Sequence, residues 1–457
     1  MSEHIFSREP KKVTKISTRN RLIKSDIPCA GSKEILDTLD KYESRSMHGQ
    51  LPLVWDSAKD FNIFDASGNK WIDFTSAIFF SNVGHSNERV TKYITEVLQE
   101  KPLIGCYAYG NEIRAKYLKK LIEFAGPDFQ KAFLMSAGTE ATEAAFKLMR
   151  MQGQKKLKKR LGILAFENNW HGRTMGAQMM SGNVQQKEWI GNLDLDIHHL
   201  SFPYPWTMGG QSGEAFFNKT IQDLRSQGID PKNDVCGMIM ETFQGWGAIF
   251  YPKDFVQAAE SFCKENDIVL TFDEMQSGFA RTGKAFGYQH YDVSPDLICC
   301  GKGMGNGYPL SGVIGKGEIM DLPEVGNMSS THSANPMACA AGLGVIEEIN
   351  QRDLVKEAQR KGQILHTKLK ELMENSKGNI SHILGEGLIA SILFKNPDTN
   401  EPETALPSII SEICMQKGLL VVHTGRESIK LGPPLTITDE ALLEGIEVLS
   451  EVVLKNI

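Results

Sequence analysis

The chain has 457 residues, which at roughly 150 residues per domain suggests two or three packed units or one large domain with an appendage. Hydrophobic residues make up 41% and charged residues 23%, ordinary for a chain that buries a large core. A net charge of −6 is far from the basic footprint of a nucleic-acid binder, and no apolar run reaches the ~18 residues of a membrane-spanning helix. Neither a nucleic acid nor a membrane is expected as a partner. Eight cysteines without a CxxC pair, two of them adjacent in an apolar run (Cys299 and Cys300), read as reduced buried thiols and a cytoplasmic setting.

In chain order, the first 24 residues lack the apolar core of a signal peptide and carry Arg8, Lys11, Lys12, Lys15, Arg19, Arg21 and Lys24. They read as a basic arm, solvated or in contact with a partner. Residues 61–76 (FNIFDASGNKWIDFTS) read as a hairpin with a Ser-Gly-Asn turn. From about residue 100 to 340, helical patterns alternate with short apolar runs: KAFLMS, LGILAFE, VCGMIMET, DIVLTFDE, DLICCGKG and LSGVIG. Continuous rather than alternating apolar runs mark strands buried on both faces, hence a mainly parallel sheet covered by helices. The basic run KKLKKR at 155–160 follows a helical stretch and precedes a strand, so it reads as an exposed connector. From 343 onward come long amphipathic helices, then short strands (GLIASILF, GLLVVHT) and a closing helix. The expected architecture is α/β. It comprises a large domain over 86–342, with 1–85 and 343–457 forming one smaller α+β domain.

Four segments carry chemistry. The strand DIVLTFDE delivers Asp273 and Glu274 at its C-terminal end, where open α/β sheets place ligands, and a second strand ends at Gly301-Lys302-Gly303. A lysine amine becomes a nucleophile toward carbonyls when desolvated. An acidic partner beside such a lysine suits pyridoxal phosphate, whose aldehyde the lysine would hold and whose ring nitrogen the aspartate would keep protonated. On spacing alone, a lysine in a glycine-rich turn and an aspartate at a strand end are an equal reading. Ser136-Ala137-Gly138-Thr139-Glu140 opens a helix with small residues and free amides, the makings of an anion site or of a plain helix start. Trp170 precedes His171-Gly172-Arg173-Thr174 and either stacks on a flat ring or fills core. Thr331 precedes the helix ACAAGL and is unremarkable by itself.

The runs DEMQSGFARTG, KGMGNGYPLSG and SAGTEATEAAFKLMR, with matches from WIDFTS to GPPLTIT, resemble the class III (ω-transaminase-type) pyridoxal-phosphate-dependent aminotransferases. The resemblance implies a fold-type I transferase that moves an amino group from an amine or amino acid to an oxo acid by a ping-pong reaction. Lys302 then matches the lysine that joins the cofactor and shuttles the proton, and Asp273 the partner of the pyridine nitrogen. Gln276 matches the residue at the 3′-oxygen and Met275 one against the ring face. Gly138 and Thr139 match the phosphate turn, Trp170 the stacking aromatic, and His171 and Arg173 support residues. Thr331 matches a threonine that reaches the neighbouring subunit's phosphate, which implies a homodimer with sites at its interface.

Two positions depart from the family pattern. Lys430, in SIKLGPPLTIT, stands where many members carry an arginine for the substrate carboxylate, and Trp246 stands where they carry a glutamate. A lysine is a point charge and does not reproduce the arginine's bidentate fork. The chain is therefore expected to handle donor and acceptor differently from the γ-aminobutyrate and ornithine enzymes. Phe79, Phe80 and Trp246 give an apolar substrate side, or are core, and Arg426 is a nearby cation. An amino-acid or lactam racemase on the same fold, and a cofactor-binding protein without turnover, are the alternatives. No metal is expected.

Overall fold

All six apolar runs of the middle region form strands, and a seventh joins them. The computed structural model describes residues 4–47 and 49–457. The strands are β1 (Lys131–Met135), β2 (Gly162–Phe166), β3 (Ile197–Leu200), β4 (Val235–Glu241), β5 (Val269–Asp273), β6 (Leu297–Cys300) and β7 (Ser311–Gly315). They form one sheet in the order β1-β7-β6-β5-β4-β2-β3. Pairing is parallel from β6 through β5, β4 and β2 to β3, while β7 runs antiparallel to both β6 and β1. Every residue of the five inner strands is buried. The partly exposed strands are β1 and β3, at the two edges. This is the pattern of a sheet covered on both faces.

Helix α1 (Gly138–Lys155) lays Ala141, Ala145, Leu148 and Met149 on this sheet, against Ile163, Ile239, Val269 and Val313. That spacing is the apolar stripe of a helix with one buried face. Helices α2 (Lys253–Glu265) and α3 (Pro336–Gln351) follow. Asn335 caps α3 by accepting from the amide of Ala338 at 2.9 Å. The connector after α1 is mostly exposed, as its charge implies.

The chain divides into two compact units. One comprises Met1–Asn87, Trp246–Ala248 and Lys356–Ile457, the other Glu88–Gly245 and Ile249–Val355. The second holds the sheet just described, with α3 whole. In the first, the expected hairpin pairs Asn62–Phe64 with Lys70–Asp73. Its turn is held by Asp65, which accepts from the amides of Ser67 and Asn69. A further sheet joins strands within 380–431, and the closing helix is Asp439–Asn456.

The basic arm, expected to be solvated or to meet a partner, is tied back within its own unit. Lys11 pairs with Glu412 at 2.8 Å, Arg21 with Glu444 at 2.6 Å and Arg8 with Asp40. Those carboxylates lie beyond the reach of any local sequence pattern. Ser76, Ala77, Ile78 and Phe79 form a left-handed turn with φ of 44°, 50°, 64° and 68°. Each non-glycine residue held there costs on the order of 1–3 kcal/mol, so its surroundings must fix it. Ser76 Oγ donates to the Gly432 carbonyl at 2.7 Å, and Thr75 Oγ1 donates to Asp73 at 2.6 Å. Seven of the eight cysteines are buried, Cys106 is half-buried, and none forms a disulfide. Among the described residues no helix is long and apolar enough to cross a membrane.

Candidate active site

Strands β4 and β5 run parallel and in register, so Glu241 and Asp273 end them side by side. Side chains alternate along a strand, and the acidic pair at the end of β5 therefore splits. Glu274 turns to a buried network, accepting from Thr242 Oγ1 (2.5 Å), Ser277 Oγ (2.7 Å) and the amides of Gly287 and Tyr288. Burial pushes its carboxyl up while those four donors pull it down. Asp273 faces a cavity instead. Its Oδ2 lies 2.9 Å from Nδ1 of the buried His171, and its Oδ1 accepts from the Met275 amide at 3.0 Å.

Strand β6 delivers Lys302 to the same cavity. Gly301 is extended, and Lys302 turns to φ 40° to open a short 3₁₀ turn through Met304. Burial pushes its ammonium below the ordinary lysine range, against the opposing pull of the Asp273 and Glu241 charges. A desolvated amine with easier loss of its proton is what a nucleophilic lysine needs.

The start of α1 closes another side. Glu140 reaches back and accepts from the amides of Ser136 (2.9 Å) and Ala137 (2.7 Å). The amides of Gly138 and Thr139, first in the helix, have no carbonyl one turn earlier to bond. They and the helix dipole suit an anion. Thr139 Oγ1 lies 2.7 Å from Thr174 Oγ1, and Thr174 donates to Glu143 at 2.6 Å. Gly172, at φ 136°, makes this possible, since a Cβ there would sit 2.3 Å from Thr139 Oγ1. The thioether of Met275 takes the space that Cβ atoms at Gly138 and Gly301 would need.

Trp170 donates its amide to Glu241 at 2.9 Å, and the guanidinium of Arg173 lies 4.4 Å from its ring centre. Gly138, Thr139, Trp170, Asp273, Met275, Gln276 and Lys302 all line one cavity of about 200 Å³, with His171, Glu241 and Phe243. A lysine amine, a carboxylate, an indole face and two free helix amides around one space fit a flat, phosphate-bearing aldehyde such as pyridoxal phosphate. Glu241 and Phe243 were absent from the sequence-predicted set. The signal for Glu241 was its place at the end of the strand next to that of Asp273.

The other expected residues lie elsewhere. Thr331 is exposed in the turn before α3. Phe80, Trp246 and Lys430 belong to the first unit. There Lys430 is buried with Nζ 4.3 Å from the ring centre of Phe79. Arg426 lies 3.8 Å over the ring of Trp246, whose carbonyl accepts from Ser428 Oγ at 3.2 Å.

The family described as "Aminotransferase class-III" matches residues 44–453. A probable 4-aminobutyrate aminotransferase of Bacillus subtilis is 34% identical over 401 residues, covering 85% of this chain and 89% of that protein. An ornithine aminotransferase of Saccharomyces cerevisiae is 30% identical over 433 residues, covering 92% and 97%. Among solved structures, an aminotransferase of Bacillus anthracis superposes with a TM-score of 0.84 at 26% identity, covering 92% of this chain and 98% of that one.

Proposed function

This chain belongs to the class III aminotransferases, and from that footing we propose how its own residues divide the work. It is a pyridoxal-phosphate-dependent enzyme that transfers an amino group from an amine or amino acid to an oxo acid, and its relatives are aminotransferases rather than racemases. When bound, the cofactor supplies an aldehyde for the incoming amine and a ring that draws electrons from the reacting carbon.

The observation that carries the assignment is the convergence of Lys302, Asp273, Trp170 and the start of α1 on one cavity. Lys302 Nζ would hold the cofactor's aldehyde, and its amine is placed to carry a proton at the substrate carbon. Burial leaves that amine ready to accept it. Around the same cavity, Asp273 would meet the ring nitrogen, Trp170 would cover a ring face, Gln276 would meet the ring oxygen, and the amides of Gly138 and Thr139 would receive the phosphate.

On the substrate side, Lys430 meets the acceptor's carboxylate as a single charge, with Phe79, Phe80 and Trp246 giving apolar surface to the carbon chain. The close packing of Lys430 on Phe79 and of Arg426 on Trp246 supports this reading. A homodimer is proposed on the exposed apolar side chains of the 101–110 segment, Ile104 at 68% and Tyr109 at 80% exposure, and on the exposed Thr331. A cytoplasmic location is proposed on the unpaired cysteines.

The visible spectrum of the purified protein, with a panel of amines and no acceptor, tests the activity. A yellow band that bleaches with one donor is expected and names half of the substrate pair. No band after addition of pyridoxal phosphate would sink the role of Lys302.

A further inference from the structure

His171 and Asp273, both buried, form a pair with one loose end. The histidine is fixed through its backbone on both sides: its amide donates to Ser181 Oγ at 2.8 Å and its carbonyl accepts from Thr142 Oγ1 at 2.7 Å. Its ring is fully buried, with Nδ1 2.9 Å from Asp273 Oδ2. Its second nitrogen, Nε2, is buried without a hydrogen-bond partner. A proton on Nε2 would be a buried donor with no acceptor, whereas a proton on Nδ1 meets the carboxylate, so the Nδ1–H form is the one this packing satisfies. Asp273 then receives a donor on each oxygen, His171 Nδ1–H on one and the Met275 amide on the other. Asp273 also lines the cavity.

We propose that His171 is a positioning residue for the transamination: through Nδ1–H it holds Asp273 in the one orientation that meets the ring nitrogen of bound pyridoxal phosphate, and so sets the pH at which the bound cofactor titrates. This rests on the placement of Asp273 proposed above. The other titratable groups about the pair are Lys302, Glu241, Cys299 and Cys300 around the carboxylate and His199 near the imidazole. Lys302, Cys299 and Cys300 act on the carboxylate through their charge, whereas His171 hydrogen-bonds it.

Two substitutions test the proposal on the holoenzyme. His171→Asn keeps an N–H donor at the same reach from the backbone, and His171→Leu removes it while keeping apolar bulk. The readouts are the pH titration of the bound cofactor's visible band and the split between kcat and KM. In His171→Leu the midpoint of the band is expected to move by about one pH unit or more. Its kcat should fall roughly tenfold to a hundredfold, the range seen when a partner orienting a functional group is lost, with the KM for the amine within about twofold. His171→Asn should restore most of both. A His171→Leu protein with the wild-type midpoint and kcat, merely melting earlier, would make His171 a packing residue and overturn the proposal. Should the leucine variant not fold, nitrogen NMR of histidine-labelled wild-type holoenzyme decides: a proton on Nδ1 and none on Nε2 supports the proposal, and a protonated Nε2 overturns it. A wild-type protein that shows no band with pyridoxal phosphate would instead bring down the placement of Asp273, and this proposal with it.

Discussion

Lys430 holds its ammonium 4.3 Å above the ring of Phe79, the last residue of the left-handed turn. A cation over an aromatic face is attracted by the ring's quadrupole. Lys430→Met keeps the stem and removes the charge. It is expected to raise the KM for the oxo acid roughly tenfold to a hundredfold, the value of about 1.5–3 kcal/mol for a hydrogen bond to a charged group, while the KM for the amine changes little. Steady-state kinetics with each substrate varied in turn checks this. An equal rise in both constants would show a general loss of packing.

Lys302 should be captured by pyridoxal phosphate at lower pH than an ordinary lysine. Burial holds its ammonium below the ordinary value of 10.5. Only the free amine attacks an aldehyde, so a depressed value enlarges the reactive fraction near neutrality. In protein stripped of cofactor, the rate at which the visible band returns should rise with pH through a midpoint below 10.5. A midpoint at the ordinary value would contradict the burial of the amine. Lys302→Ala should bind the cofactor without ever forming the covalent band.

Gly172→Ala should loosen the phosphate turn. The new methyl group would meet Thr139 Oγ1 at 2.3 Å, on a backbone at φ 136°. The strain costs on the order of 1–3 kcal/mol, and displacing Thr139 disturbs its link to Thr174. Cofactor affinity is expected to fall about tenfold or more, as read by equilibrium dialysis. Gly191→Ala is the control, since it too has positive φ but faces open space, and it should leave affinity unchanged.

Stability should carry a pH signature from Glu444. Burial pushes its carboxyl up, but hydrogen bonds from Thr18, Arg21 and Asn20 outweigh that and hold it below the ordinary 4.5. A carboxylate depressed in the folded protein contributes stability that is present above its unfolded value and is lost as pH falls below it. Glu444→Gln should therefore cost about 1–3 kcal/mol at neutral pH, and the gap to wild type should close below pH 4.5. Thermal unfolding at several pH values reads this directly. A gap that stays constant through acid would assign the loss to shape rather than charge.

The strands that build the site were legible because burial on both faces leaves an unbroken apolar run, as in Gly162–Phe166 and Val235–Glu241. The strand Ile197–Leu200 was not, because an edge position lets it carry His198 and His199. Lys302 and Asp273 stood out at strand ends flanked by glycine or acid, but that spacing read equally as a turn and a strand terminus, and the family resemblance gave them their roles. Their surroundings could not be read from the sequence, since His171 lies 102 residues from Asp273, and neither could the tie of the basic arm, since Lys11 lies 401 residues from Glu412. Ser76–Phe79 contains no glycine to announce a left-handed turn. Only the finished packing around Gly432 imposes it.

The antiparallel strand β7 has a consequence for the order in which the molecule comes into being. β1, which leads into the Gly138 turn, has β7 as its sheet partner, and Ser311 Oγ closes on the Ala137 carbonyl across 174 residues of sequence. A ribosome adding 5–20 residues per second needs roughly 10–35 s to cover that span. For that interval the emerging chain carries an edge strand without its neighbour and a phosphate turn without its clasp. Until synthesis has passed Gly315, β1 lacks its partner strand and the Ala137 carbonyl lacks its hydrogen bond from Ser311.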